Sequence, residues 1–317
     1  MSLSRREFLA GAAASLAAMP LAAIAGESRQ PNEKKFQICI FSKHLQWLDY
    51  SGMAQTAAEL GFDGVDLTVR RGGHVLPERV EDDLPRAIEA IRAAGIKPLT
   101  IVTDINNPDD PKTESVLKTA SALGIKYYRL GYYTYDEDAS IAATLEQAKP
   151  KLRDLAAMNK HFNIHGAYQN HSGSRYVGAP VWDLWELIRD LDPKYMGCQF
   201  DIRHATVEGG QTWPLHLRVM SDRIKTLAVK DFLWEKQNSK WAAVNCPLGK
   251  GAVDFTRYLQ LLKKLSIGGC ILVHYEYDLG GADRGATKLT MEKGKVLAAM
   301  RKDLEFLKTR LRDHGLY

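Results

Sequence analysis

The sequence has little cysteine, few aromatic residues and no long run of charge of one sign. It contains four cysteines, 9% aromatic residues, and 43 basic against 38 acidic side chains in 317 residues. No basic patch stands out, so nucleic-acid binding is not expected. The sequence also lacks a cysteine cluster for zinc, a dinucleotide-binding fingerprint and a serine nucleophile elbow. With 45% hydrophobic and 26% charged residues, the chain is neither disordered, collagenous nor a multi-span membrane protein.

Residues 1–25 have the pattern of an export signal. Met1–Arg6 is short and basic, Phe8–Ala25 is apolar and small, and Ala23–Ala25 is an A-x-A cleavage pattern. Ser4–Leu9 matches every fixed position of the twin-arginine motif S-R-R-x-F-L. The alternative is a retained membrane anchor, for which this Ala-rich stretch is marginal because a span needs about 20 apolar residues. We expect cleavage near Gly26 and export of the folded protein to the periplasm by the twin-arginine machinery.

The four cysteines are predicted to remain free thiols. An oxidising compartment would allow two disulfides. However, Cys39, Cys198 and Cys270 lie in short apolar runs typical of buried strands, where cysteine behaves as a small hydrophobic residue.

From Lys35 onward, short apolar runs alternate with longer segments of helical periodicity, which indicates repeated βα units and a parallel sheet. The predicted strands are Phe36–Phe41, Gly64–Leu67, Lys97–Val102, Tyr127–Leu130, Phe162–Ala167, Met196–Phe200, Ile224–Val229 and Cys270–Tyr275. Eight such units predict an α/β fold, a single-domain (β/α)8 TIM barrel over residues 26–317, with an open doubly wound sheet as the alternative. Phe232–Cys246 predicts a small hairpin inserted after strand 7, on the face where the active sites of such barrels lie.

The carboxyl ends of the predicted strands are rich in polar residues. Three of them offer oxygen ligands suited to a hard or borderline divalent cation: the amide of Gln169 and the carboxylates of Asp201 and Glu276. We expect them to hold one divalent metal ion, manganese, zinc or cobalt, which would polarise a sugar carbonyl or hydroxyl pair. The alternative is a set of hydrogen-bonded rim residues without a metal.

Further rim residues are candidates for catalysis and substrate binding. A neutral His204 beside a carboxylate is a candidate general base near pH 7, unless its role is structural, and His171 is a further residue of the barrel mouth. The cations suited to a carboxylate, a phosphate or ring hydroxyls are Lys43, Arg129, Arg203 and Lys230, with solvated surface charges as the alternative. Among the aromatic residues we expect Trp47 and Trp234 to stack against sugar rings rather than to serve only in packing.

These motifs resemble a known family. Phe36–Tyr317 is similar to a xylose-isomerase-like TIM barrel of the sugar phosphate isomerase/epimerase superfamily. The similarity depends on six segments: Gly61–Asp66, Gln169–His171, Asp201–His204, Val229–Asp231, Pro247–Phe255 and His274–Glu276. It covers the whole predicted mature chain.

The resemblance implies four metal ligands and a pair of glutamates that exchange protons. The ligands would be a glutamate where Gln169 stands, Asp201, a histidine where Ala228 stands, and Glu276. Two of the four differ here, which weakens the predicted metal site. Because Gln169 cannot exchange a proton, we expect chemistry on one face of the substrate, with Glu276 or His204 as base.

The expected function is that of an exported sugar isomerase/epimerase-like enzyme that abstracts a proton next to the carbonyl of a sugar or ketosugar derivative. A 3-keto-glycoside lyase or hydrolase and a non-catalytic carbohydrate-binding protein are the alternatives, and fold similarity alone does not decide among them. In the enzyme, either the metal ion or Lys230 and Arg203 would hold the oxyanion. The expected partners are a small carbohydrate and the export machinery, without nucleic acid or a stable membrane anchor, and a homo-oligomer is left open.

Overall fold

Short apolar runs bounded by glycine and polar residues form eight parallel barrel strands in the computed structural model, which describes residues 36–317. The barrel strands are β1 (Phe36–Phe41), β2 (Gly64–Thr68), β3 (Lys97–Val102), β4 (Tyr127–Arg129), β5 (His165–Gln169), β6 (Met196–Asp201), β7 (Ile224–Val229) and β10 (Gly269–Val273). Each strand pairs with its neighbours in chain order, and β1 pairs with both β2 and β10. The barrel is therefore closed, which confirms the (β/α)8 prediction and excludes the open sheet. The predicted export signal, residues 1–25, lies outside the described residues.

Helices follow the strands and cover the outside of the barrel. They are α1 (Tyr50–Leu60), α2 (Val80–Ala93), α3 (Pro111–Ala122), α4 (Ile141–Phe162), α5 (Trp182–Ile188), α6 (Ile202–Gly209), α7 (Trp213–Val219), α8 (Phe255–Lys264) and α9 (Lys293–Asp313). Side chains of Asp49 and Ser140 accept hydrogen bonds from backbone N–H groups and so cap α1 and α4. Gly61 ends α1 with a φ of 94°, a conformation in which glycine avoids a Cβ clash.

Two elements differ from the predictions. The fifth strand begins at His165 rather than Phe162, because α4 runs through Phe162 and ends at Asn163 in the left-handed conformation. Helix α6 (Ile202–Gly209) is not predicted from the sequence, because it begins directly after a predicted strand end. The Asp201 carboxylate starts this helix by accepting a hydrogen bond from the His204 N–H at 3.1 Å.

The inserted hairpin is confirmed. It consists of β8 (Asp231–Gln237) and β9 (Lys240–Cys246), joined by a turn in which Asn238 and Ser239 both have positive φ, as a two-residue hairpin turn requires. The Asp231 carboxylate accepts hydrogen bonds from four backbone N–H groups, those of Phe232, Gly249, Gly251 and Val253, at 2.9–3.1 Å. Asp231 therefore fixes the hairpin and its return loop to the barrel.

Apolar side chains fill the space between strands and helices, whereas the barrel interior is partly polar. Ile38, Ile40, Val65 and Leu67 belong to the buried core, and all four cysteines are free thiols, as predicted. Within residues 36–317, no helix is long and apolar enough to cross a membrane.

Candidate active site

Charged side chains from the ends of four strands meet at the mouth of the barrel. The Lys230 ammonium follows β7 and lies 2.9 Å from Glu276 Oε2 and 3.3 Å from Asp201 Oδ2. Lys43, after β1, places its ammonium 3.2 Å from the other Glu276 oxygen, Oε1. We call Lys43, Asp201, Lys230 and Glu276 the charged cluster. It joins two cations and two anions in one chain of ion pairs.

The side chains of the charged cluster are largely buried. The protonation state of each one therefore depends strongly on its charged neighbours. Side-chain exposure is 0% for Asp201, 3% for Lys230 and 24% for Glu276. Burial opposes the Lys230 charge, but the two carboxylates outweigh it and raise the pKa of Lys230. Burial likewise opposes the Glu276 charge, but Lys230, His274 and Lys43 together hold the pKa of Glu276 well below its usual value. Lys230 and Glu276 are therefore both ionised at neutral pH.

Gln169 is held in one orientation by its neighbours. Its Oε1 accepts hydrogen bonds from Tyr132 Oη at 2.6 Å and from Arg129 Nη1 at 3.1 Å. Because an arginine only donates, the amide oxygen must face Arg129. The amide nitrogen therefore faces Asp201 and donates to Oδ2 at 2.8 Å.

The structure brings the three predicted metal ligands together, but their chemistry does not fit a divalent ion. Gln169 presents N–H groups to Asp201, and the carboxylates of Asp201 and Glu276 are already bridged by the Lys230 ammonium. Ala228, at the position where the resemblance implies a histidine, offers no donor atom. Among residues 36–317, no group of three or more His, Cys, Asp or Glu side chains is arranged to hold a metal. The cation between the Asp201 and Glu276 carboxylates is the Lys230 ammonium.

His204 lies in the site, with its Nδ1 accepting hydrogen bonds and its Nε2 near Asp201 but without a hydrogen-bond partner among the described residues. Arg203 Nη1 donates to His204 Nδ1 at 3.2 Å and to Ser172 Oγ at 2.9 Å. The Ser172 hydroxyl then donates to the same His204 nitrogen at 2.7 Å. With Nδ1 accepting, the hydrogen of neutral His204 is on Nε2, 3.6 Å from Asp201 Oδ2. Burial, with Lys230 nearby, holds the pKa of His204 well below its usual value.

Two further histidines surround the charged cluster in neutral form. His171 is half-buried and packs against the His204 ring with 4.0 Å between ring centroids. His171 Nδ1 lies 2.9 Å from the Ser172 carbonyl oxygen, to which it donates, so that Nε2 keeps its lone pair. His274 is buried, with Nδ1 3.8 Å from Glu276 Oε1. Burial is the main cause that lowers the pKa of both rings to about 4.

The predicted substrate-binding residues separate into two groups. Lys43, Arg129, His171 and Arg203 lie in or beside the charged cluster through the contacts given above. Trp47 instead donates to the His44 carbonyl oxygen at 3.2 Å and lies beneath the Lys293 ammonium. Trp234 is 49% exposed on the hairpin, with its ring against the edge of Phe232.

The hairpin is tied to the site, as its predicted position on the catalytic face requires. Arg203 Nη2 donates to the Ala243 carbonyl oxygen at 2.9 Å, and Asn245 Nδ2 donates to the Glu276 carbonyl oxygen at 3.3 Å. Movement of the hairpin would therefore disturb both Arg203 and Glu276.

Sequence reasoning missed three residues of the site. Tyr132 is not among the predicted site residues, yet its hydroxyl fixes Gln169. Ser172 links Arg203 to His204, and Asn170 clamps Asp201 by donating to its carbonyl oxygen and accepting from its N–H at 3.0 and 2.7 Å. All three residues follow β4 or β5, and residues at strand ends of a TIM barrel lie at its active-site face, so their positions could have identified them.

The chain belongs to the xylose isomerase-like TIM barrel family, whose model matches residues 54–310. No curated protein matches the chain. The identification therefore defines the fold family and leaves the activity to the site itself.

Several solved structures share the fold. A xylose isomerase domain protein from Planctomyces limnophilus is 18% identical with a TM-score of 0.61, over 82% of this chain and 93% of its own. D-allulose 3-epimerase from Methylomonas sp. is 16% identical with a TM-score of 0.63, over 88% and 99%. A 3-keto-D-glucoside 4-epimerase from E. coli is 14% identical with a TM-score of 0.64, over 86% and 99%. At these identities the similarity shows the TIM-barrel fold alone.

Proposed function

We propose that this protein is an enzyme that abstracts a proton from the carbon next to the carbonyl of a sugar or ketosugar derivative. The observation that carries the proposal is the charged cluster at the barrel mouth, where a partly exposed carboxylate lies between two ammonium groups. Enolisation needs these two functions side by side, a base for the proton and a fixed positive charge for the developing oxyanion. The related folds, among them sugar epimerases, support a carbohydrate as the substrate class.

Glu276 is the proposed base. Its side chain is 24% exposed, whereas Asp201 is fully buried and accepts hydrogen bonds from Gln169 and from the His204 N–H. Asp201 therefore positions Lys230, and Glu276 meets the substrate. The low pKa of Glu276 keeps it ionised but makes it a weak base while both lysines contact it. A substrate oxygen that takes one ammonium removes part of this stabilisation and raises the basicity of the carboxylate at the moment of reaction.

Lys230 is the proposed oxyanion-binding group, with Lys43 and Arg203 as neighbouring cations. Its ammonium carries three donors, and two of them are directed at Glu276 and Asp201. The third N–H group is available to donate a hydrogen bond to the carbonyl oxygen of a bound substrate. No proton transfer to or from Lys230 is required, because the carboxylates keep it charged.

The chemistry acts on one face of the substrate. Gln169, on the other side of Asp201, has no proton to exchange, and its amide is fixed by Tyr132 and Arg129. A single base suffices for aldose–ketose isomerisation and for β-elimination from a 3-keto-glycoside, whereas epimerisation by paired acids does not fit. The fixed neutral amide thus favours an isomerase or a lyase.

Proton exchange in deuterated water tests the proposal. Wild-type protein incubated with a panel of ketosugars and 3-keto-glycosides should introduce deuterium next to the carbonyl, as followed by NMR. Glu276→Gln should abolish incorporation, because the amide cannot accept the proton. Glu235→Gln, which removes the same charge from the exposed hairpin, should leave it intact. Binding of these sugars without exchange of any of them would instead establish the carbohydrate-binding alternative.

A further inference from the structure

A polar cavity adjoins the charged cluster. It has a volume of about 280 Å³ and lies beside the ends of β1 and β2. We call it the arginine cavity. Its charged lining residues are Lys43, Arg70, Arg71, Arg284 and Asp104. Four cations against one carboxylate give the cavity an excess of positive charge.

Arg70 is the most buried of the three arginines in this cavity, because Arg71 and Arg284 are exposed. Its side chain is half-buried, and among residues 36–317 its guanidinium has neither a hydrogen bond nor an ion pair. It lies over the Phe41 ring, with Cζ 5.5 Å from the ring centroid, and the Lys43 ammonium lies 5.4 Å from the same centroid. Two like charges on one ring repel each other, so that an anion between them would be stabilised.

The backbone leaves room for such an anion. Gly285 lines the cavity with a φ of 79°, and a Cβ added there would lie 2.9 Å from Lys43 Cγ. A larger residue would fill the space beside Lys43. Within residues 36–317, the only ion pair of the Arg284 guanidinium is with Asp283, at 3.5 Å, and the side chain is 71% exposed, so it can turn towards a ligand.

We propose that the arginine cavity binds an anionic group of the substrate, a carboxylate or a phosphate, through Arg70 and Lys43. The inference rests on the proposed function in one respect, namely that the same molecule reaches the charged cluster with its carbonyl. Lys43 belongs to both the arginine cavity and the charged cluster, because it lines the cavity and also contacts Glu276. A guanidinium provides paired donors that match either oxyanion, whereas a neutral sugar would leave Arg70 without a partner. The substrate is thus a sugar acid or a sugar phosphate.

Calorimetric titration of pairs of anionic and neutral sugars tests this directly. The probes are hexuronates and hexose 6-phosphates of gluco, galacto and manno configuration, each with its neutral hexose, at an ionic strength of about 0.02 M so that screening is small. Wild-type protein should bind at least one anionic member about tenfold more tightly than its neutral parent. Arg70→Gln should remove that advantage, and Arg70→Lys should keep part of it. Arg301→Gln, an exposed site whose side chain contacts the end of α1, is the matched charge control and should keep the full advantage.

The outcomes separate this inference from the proposed function. A preference for uronates identifies a carboxylate, and a preference for hexose phosphates identifies a phosphate. Absence of any anionic preference in wild-type protein overturns the inference, and so does an equal loss in Arg70→Gln and Arg301→Gln. Arg70-dependent anion binding without deuterium exchange would reject the proposed enzyme while the anion site stands. Exchange that is insensitive to Arg70→Gln, with no anion preference, would reject the anion site alone.

Discussion

Replacing Lys230 by methionine should destabilise the protein by leaving two carboxylates without their cation. At 2.9 and 3.3 Å, the ammonium interacts with Glu276 and Asp201 by about 6 and 5 kcal/mol at an effective dielectric constant of about 20. Desolvation offsets most of this attraction in the wild type. In Lys230→Met the buried Asp201 charge remains uncompensated, so we expect the free energy of unfolding to fall by about 3–5 kcal/mol.

A double-mutant cycle with Glu276→Gln isolates the pair from other effects of truncation. Urea unfolding at pH 7 should give a coupling energy of about 1–3 kcal/mol between positions 230 and 276. Lys149 is a matched control, because it also contacts two carboxylates, Glu146 at 2.7 Å and Glu186 at 3.3 Å, but on the surface. The coupling of Lys149→Met with Glu146→Gln should stay below about 0.5 kcal/mol. A buried coupling no larger than the exposed one would refute the reasoning.

Three further predictions concern pH and export. Burial raises the pKa of the fully buried Asp66 to about 7, so ionisation of its carboxyl group destabilises the fold as pH rises from about 4 to about 7. Asp66→Asn should therefore raise the free energy of unfolding by about 4 kcal/mol at pH 8 and leave it unchanged at pH 4, measured by urea titration. Because the pKa of Glu276 is lowered and that of Lys230 raised, kcat/KM for deuterium exchange should stay level between about pH 6 and 9, and a bell centred within that range would contradict both shifts. Joint replacement of Arg5 and Arg6 by lysine should stop export in cell fractionation, whereas undiminished periplasmic protein would point to the general secretion route.

The sequence was sufficient to predict the barrel, because each strand and helix can be recognised from residues that are close together in the chain. Each strand is a short apolar run ended by turn residues, and glycines such as Gly61 mark the helix ends. The rim positions of Gln169, Asp201 and Glu276 followed from strand ends alone. Helix α6 was missed because its start depends on a cap that Asp201 provides, and the same residue also ends a strand.

The chemistry of the site was harder to predict because it depends on contacts between distant segments. The orientation of the Gln169 amide is decided by Arg129, 40 positions earlier. The position of the hydrogen on His204 is decided by Arg203 and Ser172. One signal was available: Ala228 and Lys230 are two residues apart, so their side chains point to the same face at the end of β7. Ala228 stands where the family resemblance implies a histidine ligand, and Lys230 points to the same face. This pair therefore indicates a lysine ammonium in the place of a metal ion.

We infer that Lys230 provides the positive charge for proton abstraction by Glu276. The most direct test is the initial rate of deuterium exchange into the best substrate of the panel, measured after exhaustive dialysis against a chelator. We expect the wild type to keep its full rate without added metal and Lys230→Met to lose at least about 100-fold in rate. A wild-type rate that disappears on dialysis and returns with manganese, zinc or cobalt would contradict it, as would undiminished exchange in folded Lys230→Met.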